Sequence, residues 1–155
     1  MNRIAEFYKV SEKQFPGEGY GDIKLPKRAT AGSAGYDFFA PGDIFLPSDG
    51  EVVVDTGVRA RIAEGWFLMI LPRSGSGFKY GVRLANTAGV IDSDYFNAEN
   101  EGHIRIKLVG GSRDYSVKKG EAFAQGIFVP YGITESDDCE EIRRGGFGST
   151  DKKVL

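Results

Sequence analysis

Tyr36–Leu71 reads YDFFAPGDIFLPSDGEVVVDTGVRARIAEGWFLMIL. Short runs rich in apolar residues, Tyr36–Ala40, Asp43–Leu46, Glu51–Val54 and Gly57–Ile62, are separated by Pro41-Gly42, Pro47-Ser48-Asp49-Gly50 and Thr56-Gly57. Proline presets φ and cannot donate to a ladder, and glycine enters backbone regions closed to other residues, so each break favours a turn. Runs this short suit strands and not helices. Trp66–Leu71 is apolar throughout, as expected of a strand covered on both faces.

The pattern continues in both directions. Arg3–Val10 alternates apolar and polar residues, and Gln14–Gly21 is broken into a loop by Pro16, Gly17, Gly19 and Gly21. His103–Val109 puts Ile104, Ile106 and Leu108 on one face, and Phe123–Pro130 forms another strand with Gln125 among apolar neighbours. Only Ser74–Tyr80 suggests a helix or helical turn. Strands at roughly eight- to twelve-residue spacing with no helices between them predict an all-β sandwich or jelly roll.

Composition narrows the function classes. The 22 glycines among 155 residues are about twice the ordinary share, which favours tight turns. A net charge of −2 and a pI near 5.5 give no basic footprint for duplex binding, so no direct nucleic-acid contact is expected. Cys139 is the only cysteine, excluding an internal disulfide or a cysteine-based metal site, and its acidic surroundings disfavour a thiolate. Met1–Glu6 lacks a signal-peptide character and no run has membrane-spanning length, so the expectation is an intracellular, cytoplasmic protein with no membrane contact. One domain over 1–142 is expected, followed by a glycine-rich arm over 143–155.

The chemistry concentrates in Leu71–Tyr95, LPRSGSGFKYGVRLANTAGVIDSDY. Arg73, Ser74 and the glycines at 75 and 77 combine a fork of donors, a hydroxyl and unhindered amides, the make-up of an anion cradle. GSGFK is not a Walker loop, because Lys79 is not followed by Ser or Thr. Asn86 carries an amide that can donate to and accept from a base edge. Asp92 follows an apolar strand, where it can orient and deprotonate a water, and Tyr95 can pack flat against a sugar. Each has an ordinary alternative: a surface arginine beside a helix start, a turn-capping asparagine, an aromatic filler. Gln125 is the odd residue in its strand, since a buried amide needs partners, and a pocket-facing position explains it better than a core one. A paired-carboxylate glycosidase reading of Asp92 and Asp94 lacks an aromatic-lined groove. His103 is the sole histidine, and with no nucleophile elbow it is read as a strand residue.

At these residues the chain resembles the trimeric dUTPase family. Pro72–Gly77 (PRSGSG) and Gly89–Tyr95 (GVIDSDY) look like its second and third motifs. Ala34–Ala40 (AGYDFFA) resembles the first, Gly120–Gln125 (GEAFAQ) the fourth and Gly145–Thr150 (GGFGST) the fifth, all in the family's order. The resemblance implies a jelly-roll-like β-barrel, a homotrimer whose C-terminal arm is exchanged between subunits, and Mg2+-assisted hydrolysis of dUTP to dUMP and pyrophosphate. Such an activity limits uracil incorporation into DNA and supplies dUMP for dTMP synthesis. It further implies Asp92 as general base and Asp37 as a water-mediated magnesium ligand. Arg73, Ser74, the Gly75 amide, Gln125 and Arg143 would hold the phosphates. Asn86 with backbone groups near Val90, Ile91 and Arg105 would read uracil, Tyr95 would exclude a ribose hydroxyl, and Phe147 would stack on the base.

Two departures stand out. Phe96–Glu101 puts six residues between Tyr95 and Gly102 where many members have one. The arm is one residue short before GGFG and carries Asp151 where glycine is usual, which leaves Arg144 as a competitor to Arg143. A dCTP deaminase of the same fold, or a bifunctional deaminase/dUTPase, needs a glutamate at the base, and GVIDSDY offers none. A regulatory protein-binding role on this fold is the remaining alternative.

Overall fold

The computed structural model describes residues 2–141 together with Arg143 and Gly145. Its strands are β1 (Ala5–Lys9), β2 (Lys27–Arg28), β3 (Tyr36–Phe39), β4 (Ile44–Leu46), β5 (Glu51–Asp55), β6 (Val58–Ile62) and β7 (Trp66–Pro72). The helix α1 (Ser74–Tyr80) follows, then β8 (Arg83–Leu84), β9 (Gly89–Ile91), β10 (Arg105–Val109), β11 (Tyr115–Val117) and β12 (Ala122–Pro130). The strands pair antiparallel in a five-stranded sheet ordered β2-β3-β12-β7-β9, a three-stranded sheet β5-β10-β8, and the pairs β1-β6 and β4-β11. This is the jelly-roll-like all-β fold expected from the turn spacing.

Alternation along the strands makes the core. In β10, Ile106 and Leu108 point inward while Arg105 and Lys107 stay exposed. They meet Phe38 of β3, Leu46 of β4, Leu68 and Ile70 of β7 and Phe123 of β12, all fully buried. Each such side chain contributes about 1.5–3 kcal/mol of transfer free energy. Gly126 lets the sheets close here, because a Cβ at that position would lie 2.8 Å from Leu68 Cδ1 and 3.1 Å from Phe38 Cε2.

Three sequence readings need correction. Trp66–Leu71 is covered on one face only within the chain: Leu68 and Ile70 are buried with Trp66 packed against the same core, but Phe67, Met69 and Leu71 on the other face are half-buried. His103 lies outside β10, which begins at Arg105. It is a buried corner residue whose Nε2 accepts the Gly57 amide at 2.9 Å, and burial pushes its pKa down, consistent with a neutral acceptor. Finally, β2, β8 and β11 went unread, because runs of two or three residues without a distinct apolar pattern carry no legible periodicity.

The turn after β10 fixes α1. Gly81 ends the helix at φ +67°, and its Cα would sit 2.8 Å from a Cβ at Gly111, which would also meet the Tyr80 carbonyl at 2.3 Å. Gly111→Ala is therefore expected to cost about 1–3 kcal/mol by overpacking backbone that cannot rotate away. Urea unfolding of the variant checks this, and an unchanged midpoint would show that the turn relaxes freely.

Candidate active site

One cluster forms where β3, β7 and β12 end together. The register sets Gln125 opposite both Asp37 and Leu71. Its Nε2 donates to the Pro72 carbonyl at 3.0 Å, which supplies the partner that a part-buried amide requires. Gly35 permits that placement, since a Cβ there would lie 2.6 Å from Gln125 Oε1. Arg73 donates from Nε to Asp37 Oδ1 at 3.1 Å and from Nη1 to the Ala122 carbonyl at 3.3 Å. Ser74 and Gly75 open α1 and are exposed, whereas Ser76 is buried with its Oγ donating to the Arg73 carbonyl. The first, second and fourth sequence segments thus converge on one rim, presenting a guanidinium, an exposed hydroxyl and helix-start amides.

A second cluster surrounds the turn between β8 and β9, which the Leu84–Thr87 bridge closes. A cavity of about 280 Å³ is lined by Ile70, Leu84, Asn86, Gly89, Ile91 and Arg105, among others. Asn86 is exposed in that turn, which passes through Thr87 at φ +65°. Gly89 keeps β9 close to β7, because a Cβ there would lie 3.1 Å from Ile70 Cβ. Ile91 is buried and lines the cavity, whereas Val90 is 59% exposed and does not line it. Arg105 is held by a salt bridge to Asp55.

Asp92 follows Ile91 directly and starts a 3-10 turn over Ser93–Asn97. Burial pushes its pKa up, Arg143 pulls it down and neighbouring Asp94 raises it again. Arg143 bridges the two carboxylates, with Nη2 at 2.6 Å from Asp92 Oδ2 and Nε at 2.9 Å from Asp94 Oδ1, and its Cζ lies 5.7 Å from the Tyr95 ring centroid. Tyr95 is almost fully buried, its phenol donating to the His103 carbonyl and accepting from Asn100 Nδ2. Sequence reasoning missed Asn100, which no local pattern distinguishes from a loop asparagine. Phe147 and Arg144 lie outside the described residues.

The two clusters stand apart. Carrying the Leu68–Ile91 register one residue further sets Asp92 level with Phe67, whereas Arg73 follows Pro72 at the other end of β7. That separation is roughly 20 Å at the rise of an extended strand. Among the described residues no group of three or more His, Cys, Asp or Glu could hold a metal by itself, and no helix is long and apolar enough to cross a membrane.

Known proteins resemble the chain over most of its length. The dUTPase family model matches residues 21–151. The deoxyuridine 5'-triphosphate nucleotidohydrolase of Lactococcus lactis is 39% identical over 139 residues, covering 83% of this chain and 88% of that protein. The crystal structure of the dUTPase from Streptococcus mutans superposes with a TM-score of 0.67 at 32% identity, over 83% of this chain and 98% of its own. A variant of the dUTPase from phage phi11 of S. aureus, which coordinates a structural Mg(II) ion, gives a TM-score of 0.65 at 20% identity over 90% and 98% of the two chains, and shares the fold.

The raised pKa of Asp92 has a consequence for stability. A folded-state pKa above the unfolded value of ~3.9 means that the native state holds the proton more tightly. The group's contribution is full below that unfolded value and is lost as pH rises through the folded pKa. Asp92→Asn removes this titration, so the variant's melting temperature should gain on the wild type between pH 4 and pH 7. A difference that shrinks over that range would mean Arg143 outweighs burial.

Proposed function

The chain belongs to the dUTPase family, and we propose that it hydrolyses dUTP to dUMP and pyrophosphate with Asp92 as general base. One observation carries this reading: a partly desolvated carboxylate, with its proton affinity raised, next in the chain to the wall of a cavity that Asn86 also lines. A carboxylate tuned upward toward the operating pH is better suited to take a proton from water. To act so, Asp92 must give up the Arg143 contact.

The remaining roles follow from side-chain chemistry. Asn86 and the backbone near Val90, Ile91 and Arg105 pair with the uracil edge, and the closely walled cavity disfavours an added methyl group. Tyr95 stands against the sugar, where its ring leaves no space for a 2′-hydroxyl. Arg73, Ser74, the Gly75 amide and Gln125 neutralise the phosphates, as expected for phosphoryl transfer, in which positioned donors supply most of the catalysis. Arg143 or Arg144 and Phe147, in the arm over 143–155, add a phosphate contact and a stack on the base. When bound, magnesium neutralises charge on the triphosphate. The donor set fits that ion, since magnesium takes few protein carboxylates and keeps several waters, and Asp37 beside Arg73 is one such carboxylate. In the cell this reaction would keep uracil out of DNA and provide dUMP.

The separation of the clusters supports a site shared between subunits of a homotrimer. Roughly 20 Å along one strand is too far for Asp92 and Arg73 of the same chain to act at one phosphate group. Half-buried Phe67, Met69 and Leu71 on the outer face of β7 are also consistent with a neighbouring copy.

Pyrophosphate release measured across the deoxynucleoside triphosphates, with dCTP and UTP as controls, tests the activity. Turnover is expected with dUTP alone, and Asp92→Asn should lower kcat about 10²–10⁴-fold while dUTP still binds. Near-normal turnover in that variant would falsify the general-base role. Mixing inactive Asp92→Asn and Arg73→Ala chains after unfolding and refolding should restore about a quarter of the sites if each draws on two subunits. No recovery from a mixture that forms trimers would place both residues in one chain's site.

A further inference from the structure

Phe96–Glu101 is an ordered brace and not a slack loop. Arg59 stacks on Phe96, Cζ 3.6 Å from the ring centroid, and donates from Nη2 to the Phe96 carbonyl. At the far end Glu101 accepts from both the Ser11 amide and the Ser11 hydroxyl at 2.7 Å. Glu101 and Gly102 both take positive φ, +58° and +70°, which folds the chain back beneath Tyr95. Only glycine fits at 102, because a Cβ would lie 2.6 Å from the Tyr95 carbonyl.

Between these anchors sits Asn100. Its Nδ2 donates to the Tyr95 hydroxyl at 2.8 Å, and its Oδ1 accepts the Gly102 amide at 3.2 Å. The Gly102 bond fixes which way the amide points, so the donor must face the phenol. The phenol donates its own hydrogen bond to the His103 carbonyl at 2.9 Å, while the His103 amide donates to the Asn100 carbonyl at 3.1 Å. His103 is itself held by the Gly57 amide. Both ends of the Tyr95 ring are thus tethered, the Cα end by the 3-10 turn and the hydroxyl end by Asn100 and His103.

We infer that Asn100 is a positioning residue for sugar selection, holding the Tyr95 ring in the plane from which it excludes a 2′-hydroxyl. This rests on the proposed role of Tyr95 as the sugar wall. A wall rejects an added oxygen only if it cannot retreat, and rotation about χ1 and χ2 is the one way for a ring to retreat. The Asn100–phenol bond opposes that rotation, so the inserted segment stiffens the site through a residue that touches no substrate.

The test compares kcat and KM for dUTP and UTP in the full chain carrying Asn100→Asp, Asn100→Ser, Tyr95→Phe, Tyr95→Ala, or Asn100→Asp with Tyr95→Phe. Asn100→Asp retains the acceptor for Gly102 but cannot donate to the phenol. Each Asn100 variant should lower the dUTP-to-UTP preference about fivefold, the worth of one net hydrogen bond, with kcat on dUTP little changed. In the Tyr95→Phe background, where the phenol oxygen is gone, the same substitution should add about twofold or less. The ratio of dUMP to UMP affinities, read by titration, gives the same comparison without turnover, and thermal melts fix a temperature at which every variant is folded. Unchanged preference in both Asn100 variants, with Tyr95→Ala losing it, overturns this inference alone. So does full additivity of Asn100→Asp with Tyr95→Phe. Preference retained by Tyr95→Ala removes the sugar wall itself and this inference with it.

Discussion

Every residue of β7 pairs with β12, from Pro72 opposite Ala124 to Trp66 opposite Pro130, and this ladder determines where both clusters of the site can sit. At one end it brings Gln125 beside Pro72 and sends Arg73 into α1. Along its other edge β7 carries β9, and through it Ile91 and Asp92. Because the strand is nearly extended, its length becomes the distance between the phosphate-type cluster and the carboxylate. A slip of one residue would turn every side chain to the opposite face and expose Leu68 and Ile70.

Charge is arranged differently at the two ends. Arg73 meets one carboxylate at an exposed rim, where ion pairs contribute little to stability and the guanidinium can exchange partners easily. Asp92, partly desolvated, lies beside Asp94, so the chain bears the cost of two adjacent acids and offsets it with one arginine. That balance between burial and a removable cation gives a carboxylate its useful range as a base. Such strain is expected where function, not stability, selected the arrangement.

Three buried polar residues near the carboxylate are bonded at their side chains. Thr56 Oγ1 donates to the Ile104 carbonyl and accepts the Val58 amide, His103 accepts from Gly57, and Tyr95 is bonded at its hydroxyl. Satisfied networks of this kind rigidify their surroundings. They link the β5–β6 corner, the start of β10 and the 3-10 turn after Asp92 into one support, so the inserted residues extend a framework that the barrel already provides.

The fold class was legible in the sequence because turn-forming residues punctuate it at strand spacing, and periodicity marked β1, β3, β6, β7, β10 and β12. The site's members were legible as residue types, with Arg73, Asn86, Asp92, Tyr95 and Gln125 singled out by chemistry and by the resemblance of their segments to dUTPase motifs. Three short ladders escaped, since pairing in β2, β8 and β11 is decided by partners distant in the chain. The same cause hid Asn100, whose meaning depends on the Tyr95 hydroxyl and the Gly102 amide meeting it in space. His103 looked like a strand residue because alternation cannot tell a core position from a corner acceptor. The sequence by itself determined the longer strands, the turns between them and the chemistry they carry, because those depend on neighbours along the chain. Tertiary structure alone decided that Asp37, Arg73 and Gln125 share one rim while Asp92 lies a strand's length away, because antiparallel register converts sequence separation into direction and distance.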